Sequence, residues 1–356
     1  MRMHLHQFAS LALLLAAWQV SAARITVFAG GGTNDSGVAT DCRLADPFAV
    51  GFDAHGNTFI CEMTNHRLLR IDASGVLKTI GGGHGKGSSG DGGPVAQAQF
   101  NGPHHLTVDK NGDVYIADTW NWKIRRVDAK SETVSTFAGT GRKAFGGDGG
   151  PADKADFSGI YSTDFDLRQE NLYVVDLENR RLRAIDMRTK IVRAFAGNGQ
   201  KGVPVDGSDA ASSPLFDPRA VAVAKTGDVY ILERGGHALR VVDTKGKIRT
   251  VVGTGKPGGV TETTNPLEAT LKGPKHLCVD AEDNVLIADS DNHTIRKYLP
   301  RENKLVRVAG TGKAGRKLSD DPLKTELNQP HGVTVDRQGR IYIADSSNGR
   351  VLRLTP

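Results

Sequence analysis

Residues 103–159 read PHHLTVDKNGDVYIADTWNWKIRRVDAKSETVSTFAGTGRKAFGGDGGPADKADFSG, and the rest of the chain lays out against them. The same opening recurs at Pro47, Pro103, Ile160, Pro218, Pro274 and Pro330, at intervals of 56 to 58 residues. A fixed period of this length marks a repeat architecture, each unit being one supersecondary element that buries its faces against its neighbours. Within a unit the apolar residues are β-branched and aromatic, come in short runs and show no helical period. His-Leu-Thr-Val-Asp forms the first strand. A turn built on Gly, Asn or Asp follows, as in His55-Gly56-Asn57, Asn111-Gly112-Asp113, Thr226-Gly227-Asp228 and Gln338-Gly339-Arg340. These residues tolerate the positive φ of tight hairpins. Val-Tyr-Ile-Ala-Asp is the second strand, Lys123 to Val127 the third and Thr133 to Ala138 the fourth. Each unit therefore predicts one four-stranded antiparallel blade.

The two ends complete the count. The sixth unit stops at Pro356 after three strands, and Arg24-Ile25-Thr26-Val27-Phe28-Ala29-Gly30 matches the missing fourth (compare Thr136-Phe137-Ala138-Gly139). The expected fold is all-β: a six-bladed β-propeller whose last blade, begun near residue 330, is closed by residues 24–30. Such closure leaves no open sheet edge, and residues 24–356 leave no room for another domain.

Bulk properties narrow the function classes. The net charge of +6 is spread along the chain. A nucleic-acid binder clusters its basic residues on one face or in one run, so nucleic acid is not an expected partner. Residues 1–22 read as an export signal: Arg2 is the n-region, Phe8 to Ala17 an apolar run and Val20-Ser21-Ala22 a small-residue cleavage site. That run is far shorter than the roughly 20 residues a spanning helix needs. The protein is expected to be exported to the periplasm or beyond, without a membrane span, as a monomer. Three cysteines, Cys42, Cys61 and Cys278, are too few for a disulfide scaffold. Cys42, in the crossing from the closing strand to the first blade, is a candidate to bridge Cys61.

The pattern Pro330-His331-Gly332-Val333 through Ala344-Asp345-Ser346-Ser347-Asn348-Gly349-Arg350-Val351 resembles that of the NHL-repeat family. Gly90-Asp91-Gly92-Gly93-Pro94 and Gly147-Asp148-Gly149-Gly150-Pro151 resemble loops of bacterial exported members. The resemblance covers essentially the whole chain after the signal. It implies the six-bladed propeller; members include binding and scaffold domains, receptor sensor domains and a peptide-amidating lyase, and the gluconolactonases and virginiamycin-type lyases share the architecture. Fold analogy does not choose among these.

Ligands of a propeller sit at one mouth of its central channel, among loops on rigid strands. The second residue of each unit, Phe48, His104, Tyr161, Arg219, Lys275 and His331, differs at nearly every blade and is the expected recognition ring. His105 and His276 add imidazoles beside it. Trp120, with Trp122 across Asn121, is placed to stack a sugar ring or a peptide. A second ring is acidic: Glu62, Asp118, Asp176, Glu233, Asp289 and Asp345. A carboxylate at a strand end can hold the following turn; Asp118, Asp289 and Asp345 are also candidate ligands for Ca²⁺, which favours oxygen. Resemblance to the amidating lyase implies a zinc on histidines of three alternate blades. Those blades supply His104, Arg219 and His331 here, and arginine cannot ligate a metal. Arg219 suits instead a carboxylate-bearing partner. The expected function is a ligand- or protein-binding module whose partner at the loop face is a small anionic ligand, a peptide or a protein. The alternative is a metal-dependent lyase or lactonase-type enzyme at the same mouth.

Overall fold

The computed structural model describes residues 23–261, 263 and 265–355; the export segment expected over residues 1–22 lies outside them. Six antiparallel sheets are arranged as a ring of blades. Blade 2 shows the plan: Pro103–Val108 lines the channel, followed outward by Val114–Asp118, Lys123–Val127 and Val134–Ala138. Val114–Asp118 is buried throughout because both its faces are covered by neighbouring blades. Blade 1 exceeds the expected four strands. Gly37–Val38 adds a short fifth strand outside it, pairing Gly37 with Leu77 and Val38 with Val76.

The closing strand behaves like any other outer strand. Arg24–Gly30 pairs with Arg350–Thr355, Ile25 opposite Leu354 and Val27 opposite Leu352. Its register shifts between Val27 and Ala29, as that of blade 2 does between Thr136 and Ala138. Phe28 and Phe137 are thus the same bulge residue. Ile25 is fully buried with Ala288, Ile343 and Leu352, and Ala29 with Leu44, Ile60 and Tyr342. Burying one such aliphatic side chain contributes about 2 kcal/mol.

Blades are also fastened by hydroxyl groups. Thr119, Ser290 and Ser346, in the turns that follow the second strands, donate to the carbonyls of Ile160, Pro330 and Pro47 at 2.6, 2.5 and 2.6 Å. Each accepting residue opens the next blade, directly before a residue of the expected recognition ring. Among the described residues no helix is long and apolar enough to cross a membrane.

Candidate functional site

The two expected rings have different fates. Each carboxylate of the acidic ring is fully buried and bound inside its own blade. It accepts the backbone N–H of a residue in the preceding linker (Ala45, Asn101, Ser158, Phe216, Lys272 and Asn328) at 2.6–2.9 Å. The side-chain amides of Asn121, Asn179, Asn292 and Asn348 add a second donor at 2.8–2.9 Å. In blade 4 Gly236 stands at that position, where a Cβ would strike the longer Glu233 carboxylate.

An arginine completes each set. Arg67, Arg240 and Arg350 lie 2.6, 2.9 and 2.8 Å from Glu62, Glu233 and Asp345. Arg125, Arg183 and Arg296 lie 3.5, 3.6 and 3.7 Å from Asp118, Asp176 and Asp289. Blades 1 and 6 supply this arginine from the first residue of the third strand, blades 2 to 5 from the third. The glycine-rich loops serve the same network, since Asp91 reaches Arg125 at 3.0 Å and Asp148 reaches Arg183 at 2.8 Å. Burial pushes Asp118, Asp176 and Asp289 up to about 6, against the N–H and arginine contacts that pull them down. Asp118, Asp289 and Asp345 therefore do not face the channel as Ca²⁺ ligands, because their lone pairs are used within the blade.

The second-residue ring does reach the mouth, for a reason the sequence hides. In blades 1, 2 and 4 the register slips between Pro47 and Ala49, Pro103 and His105, and Pro218 and Ala220. Phe48, His104 and Arg219 are the extra residues at these bulges. A bulge re-aims a side chain out of the strand's alternation, here toward the mouth. The side chains then form a connected belt. Phe48 stacks on His331 at 3.8 Å between ring centres and meets His104 edge-on at 5.0 Å. His104 meets Tyr161 at 4.6 Å and Trp120 at 5.3 Å. The Arg219 guanidinium lies over the Tyr161 ring at 4.0 Å. Lys275 points its ammonium toward Asp291 at 3.8 Å. Trp120 stays 40% exposed and covers Gly102, where a Cβ would collide with the indole. Trp122 ends the same turn in a left-handed conformation and makes no ring contact with the belt.

The belt is electropositive. Arg219 is buried, and among the described residues no carboxylate pairs with it. Burial pulls its guanidinium down to about 10, so it stays charged at neutral pH. Lys275 is lowered too, by burial first, with Asp291 opposing and Arg219 adding to the shift. His104 and His331 are held well below their usual value by burial and by the charges of Arg219 and Lys275. Both imidazoles are therefore neutral. Their Nδ1 atoms lie 2.7 and 3.2 Å from the carbonyls of Gly102 and Gln329. Phe48 contacts both and fills the space between them. That wedge, with Arg219 at the third position, does not fit the zinc set that the lyase resemblance implied. Among the described residues no three of His, Cys, Asp and Glu converge in a metal-binding arrangement.

His105 and His276, expected beside the ring, sit a layer below it. They come from opposite blades, are each 8% exposed and face each other at 4.7 Å between ring centres. His105 Nδ1 accepts the Thr163 backbone N–H at 3.3 Å, and His276 Nδ1 lies 3.1 Å from the Val333 carbonyl. Burial drives both pKa values down, that of His276 to about 4. The pair partitions the channel. Beneath it a cavity of about 170 Å³, lined by Thr163, Asp164, Cys278 and Thr334 among others, reaches none of the mouth residues.

The cysteines are free. Cys42 donates its thiol to the Val38 carbonyl at 3.3 Å and packs with Ala29 and Leu44, whereas Cys61 packs with Phe48 and Leu106 in another core cluster. The expected Cys42–Cys61 bridge is not formed.

Sheets and site together define a closed six-bladed propeller with a positively charged aromatic belt at one mouth. A family model described as the NHL repeat matches residues 100–126 and 327–354, and one described as the teneurin NHL domain matches residues 154–310. The chain carries NHL repeats at those positions, in agreement with the repeat read in its sequence. It is similar to the Arabidopsis thaliana protein SUPPRESSOR OF QUENCHING 1, chloroplastic (26% identity over 334 residues, 89% of this chain). It is also similar to chicken (Gallus gallus) NHL repeat-containing protein 2 (24% identity over 344 residues, 86% of this chain). The chain spans 31% and 46% of the lengths of these two relatives. Among solved structures it resembles an auxiliary nutrient binding protein from Bacteroides thetaiotaomicron, with TM-score 0.69 and 14% identity, covering 94% of this chain and 76% of that one. It resembles a streptogramin B lyase with TM-score 0.56 and 13% identity, covering 94% and 97%. At these identities the likeness establishes the fold.

Proposed function

We propose that the chain is an exported binding module that takes a small anionic ligand, or the carboxylate end of a peptide, at the channel mouth. One observation carries the reading. Arg219 is a buried guanidinium, laid over Tyr161, with no carboxylate of its own. Charges this buried are ordinarily paired, and a ligand carboxylate in bidentate contact would supply the missing partner. Lys275 adds a second positive charge, and Phe48, Tyr161, Trp120 and the neutral imidazoles of His104 and His331 offer flat surface around it. One structural neighbour is itself described as a nutrient-binding protein, which agrees with a binding role. Export rests on the signal pattern of residues 1–22, and sequencing the N-terminus of the purified mature protein checks it.

The test is a calorimetric titration with aliphatic and aromatic carboxylates and a free-carboxylate peptide. Arg219→Lys keeps the charge and loses the planar fork, so binding is expected to weaken about tenfold. Affinity that is unchanged in Arg219→Lys rejects the role.

A further inference from the structure

The groove between blades 2 and 3 and the groove between blades 6 and 1 share one frame, on the side of the ring away from the mouth. In the first, Tyr115 stands edge-on to Phe137 at 5.0 Å and to Phe165 at 5.3 Å. In the second, Tyr342 meets Phe28 at 4.9 Å and Phe52 at 4.7 Å. An arginine follows at the same register in both: Arg126 opposite Tyr115, and Arg353 opposite Tyr342.

The first groove is closed and its charge is satisfied. Arg126 binds Asp113 at 2.5 Å and Asp128 at 3.0 Å. Lys190 covers Phe137 at 5.0 Å, and Met187 fills the flank. The second groove departs at each of these points. Arg340 replaces the clamping aspartate and turns away to Asp336 at 2.5 Å. Ala73 and Gly75, in a turn one residue shorter, stand where the other groove has Met187 and Lys190. The cleft is larger, about 620 Å³ against about 410 Å³. Among the described residues no carboxylate pairs with Arg353. Its Nε is buried with no hydrogen-bond partner, and its guanidinium lies 5.7 Å from the Phe28 ring. The carboxylates of the cleft are already engaged. Asp53 accepts the backbone N–H groups of His55 and Asn57, Asp72 those of Ser74 and Val76, and Asp336 holds Arg340 and the Tyr342 hydroxyl.

We propose that the cleft between blades 6 and 1 is a second ligand site, for a small organic anion whose acid group pairs with Arg353 and whose flat apolar body lies against Phe28, Phe52 and Tyr342. The volume falls within the usual ligand-pocket range of roughly 300–1,000 Å³. The guanidinium supplies orientation, and the half-buried Phe28 and Phe52, backed by the buried Tyr342, supply contact area. A ligand seated there touches the closing strand through Phe28, blade 1 through Phe52 and blade 6 through Arg353. Binding therefore fastens the ring where Arg24–Gly30 closes on Arg350–Thr355 and raises the thermal midpoint.

Benzoate is the probe and benzamide its uncharged counterpart, titrated calorimetrically into the full mature chain. Two variants address the cleft. Arg353→Gln removes the cation. Arg340→Asp restores the aspartate that blade 2 carries at this position and so pairs Arg353 internally, in a setting the fold already accommodates. Benzoate is expected to bind the wild type in the millimolar range and to lose about tenfold in both variants; benzamide is expected to bind neither wild type nor variants. No benzoate binding to the wild type at about 10 mM, or equal affinity in wild type and both variants, overturns the proposal. Benzoate binding that survives both variants and disappears in Arg219→Lys assigns the probe to the mouth and also overturns it. Binding lost in Arg340→Asp and Arg353→Gln but kept in Arg219→Lys supports the cleft and speaks against the mouth reading.

Discussion

The acidic ring and the mouth ring are both sixfold sets on neighbouring loops, yet they are built on opposite logics. In the first, every carboxylate has an arginine and a backbone N–H, and the same solution recurs in each blade with small shifts of register. In the second, six side chains of five types lean on one another, and two cations lack full partners. A repeat protein separates its tasks this way: positions that hold the blades converge on one answer, and positions open to a ligand are free to diverge.

Breaking the first ring should have the largest effect. Arg125→Met strands Asp118 as a buried charge, and an urea melt should show a loss of about 3–5 kcal/mol; adding Asp118→Asn should recover part of it. A near-neutral Arg125→Met would mean the two rings are not energetically distinct. The histidine pair beneath the mouth should come next. An unfolded His276 takes up a proton near its ordinary 6.5, and the folded one near 4. Its contribution is therefore complete above about 6.5 and lost as pH falls toward 4, on the order of 3 kcal/mol over that window. The carboxylates raised to about 6 act in the opposite sense, losing their contribution as pH rises through that value. The difference between wild type and His276→Gln isolates the histidine: the variant's stability should fall less steeply between pH 6.5 and 4, and parallel curves would contradict the buried neutral ring.

Smaller effects sharpen the comparison. Thr119→Val removes the hydroxyl that binds the Ile160 carbonyl, at a cost of about 1 kcal/mol; loosening Tyr161, it should also weaken carboxylate binding at the mouth. Phe48→Leu trims a buried ring and should cost a similar amount, about 1 kcal/mol, while reducing that same affinity. A large stability loss with unaltered binding would move Phe48 from the recognition surface into the framework.

How much of this was legible follows from what repeats. The six starts, the hairpin turns and the match of residues 24–30 to an outer strand are written in the sequence at constant spacing, so the blades and their closure could be read from it. The acidic positions were visible as well, but their partners were not, because the arginine moves from the first residue of the third strand (Arg67, Arg350) to the third (Arg125, Arg183, Arg240, Arg296). The alternation of basic and apolar residues in that strand was the available signal. The bulges at Phe48, His104 and Arg219 depend on pairing register, which no composition reports. His105 and His276 are 171 residues apart; only closing the ring brings them together across the channel. The glycine loops could be recognised as linkers, but the carboxylates of Asp91 and Asp148 reach into the next blade, a contact visible only in three dimensions.

The joint between Arg24–Gly30 and Arg350–Thr355 also sets an order of events. The earliest-made strand of the ring has the latest-made strand as its partner, so on a growing chain it has nowhere to go. Ile25 and Ala29 must wait until both flanking blades exist, and contacts this far apart in sequence form late and slowly. Until then the last blade lacks its outer strand and exposes an unpaired edge. The final step of assembly therefore depends on Arg350–Thr355: a chain that lacks this strand leaves Arg24–Gly30 without its pairing partner and the last blade with an open edge.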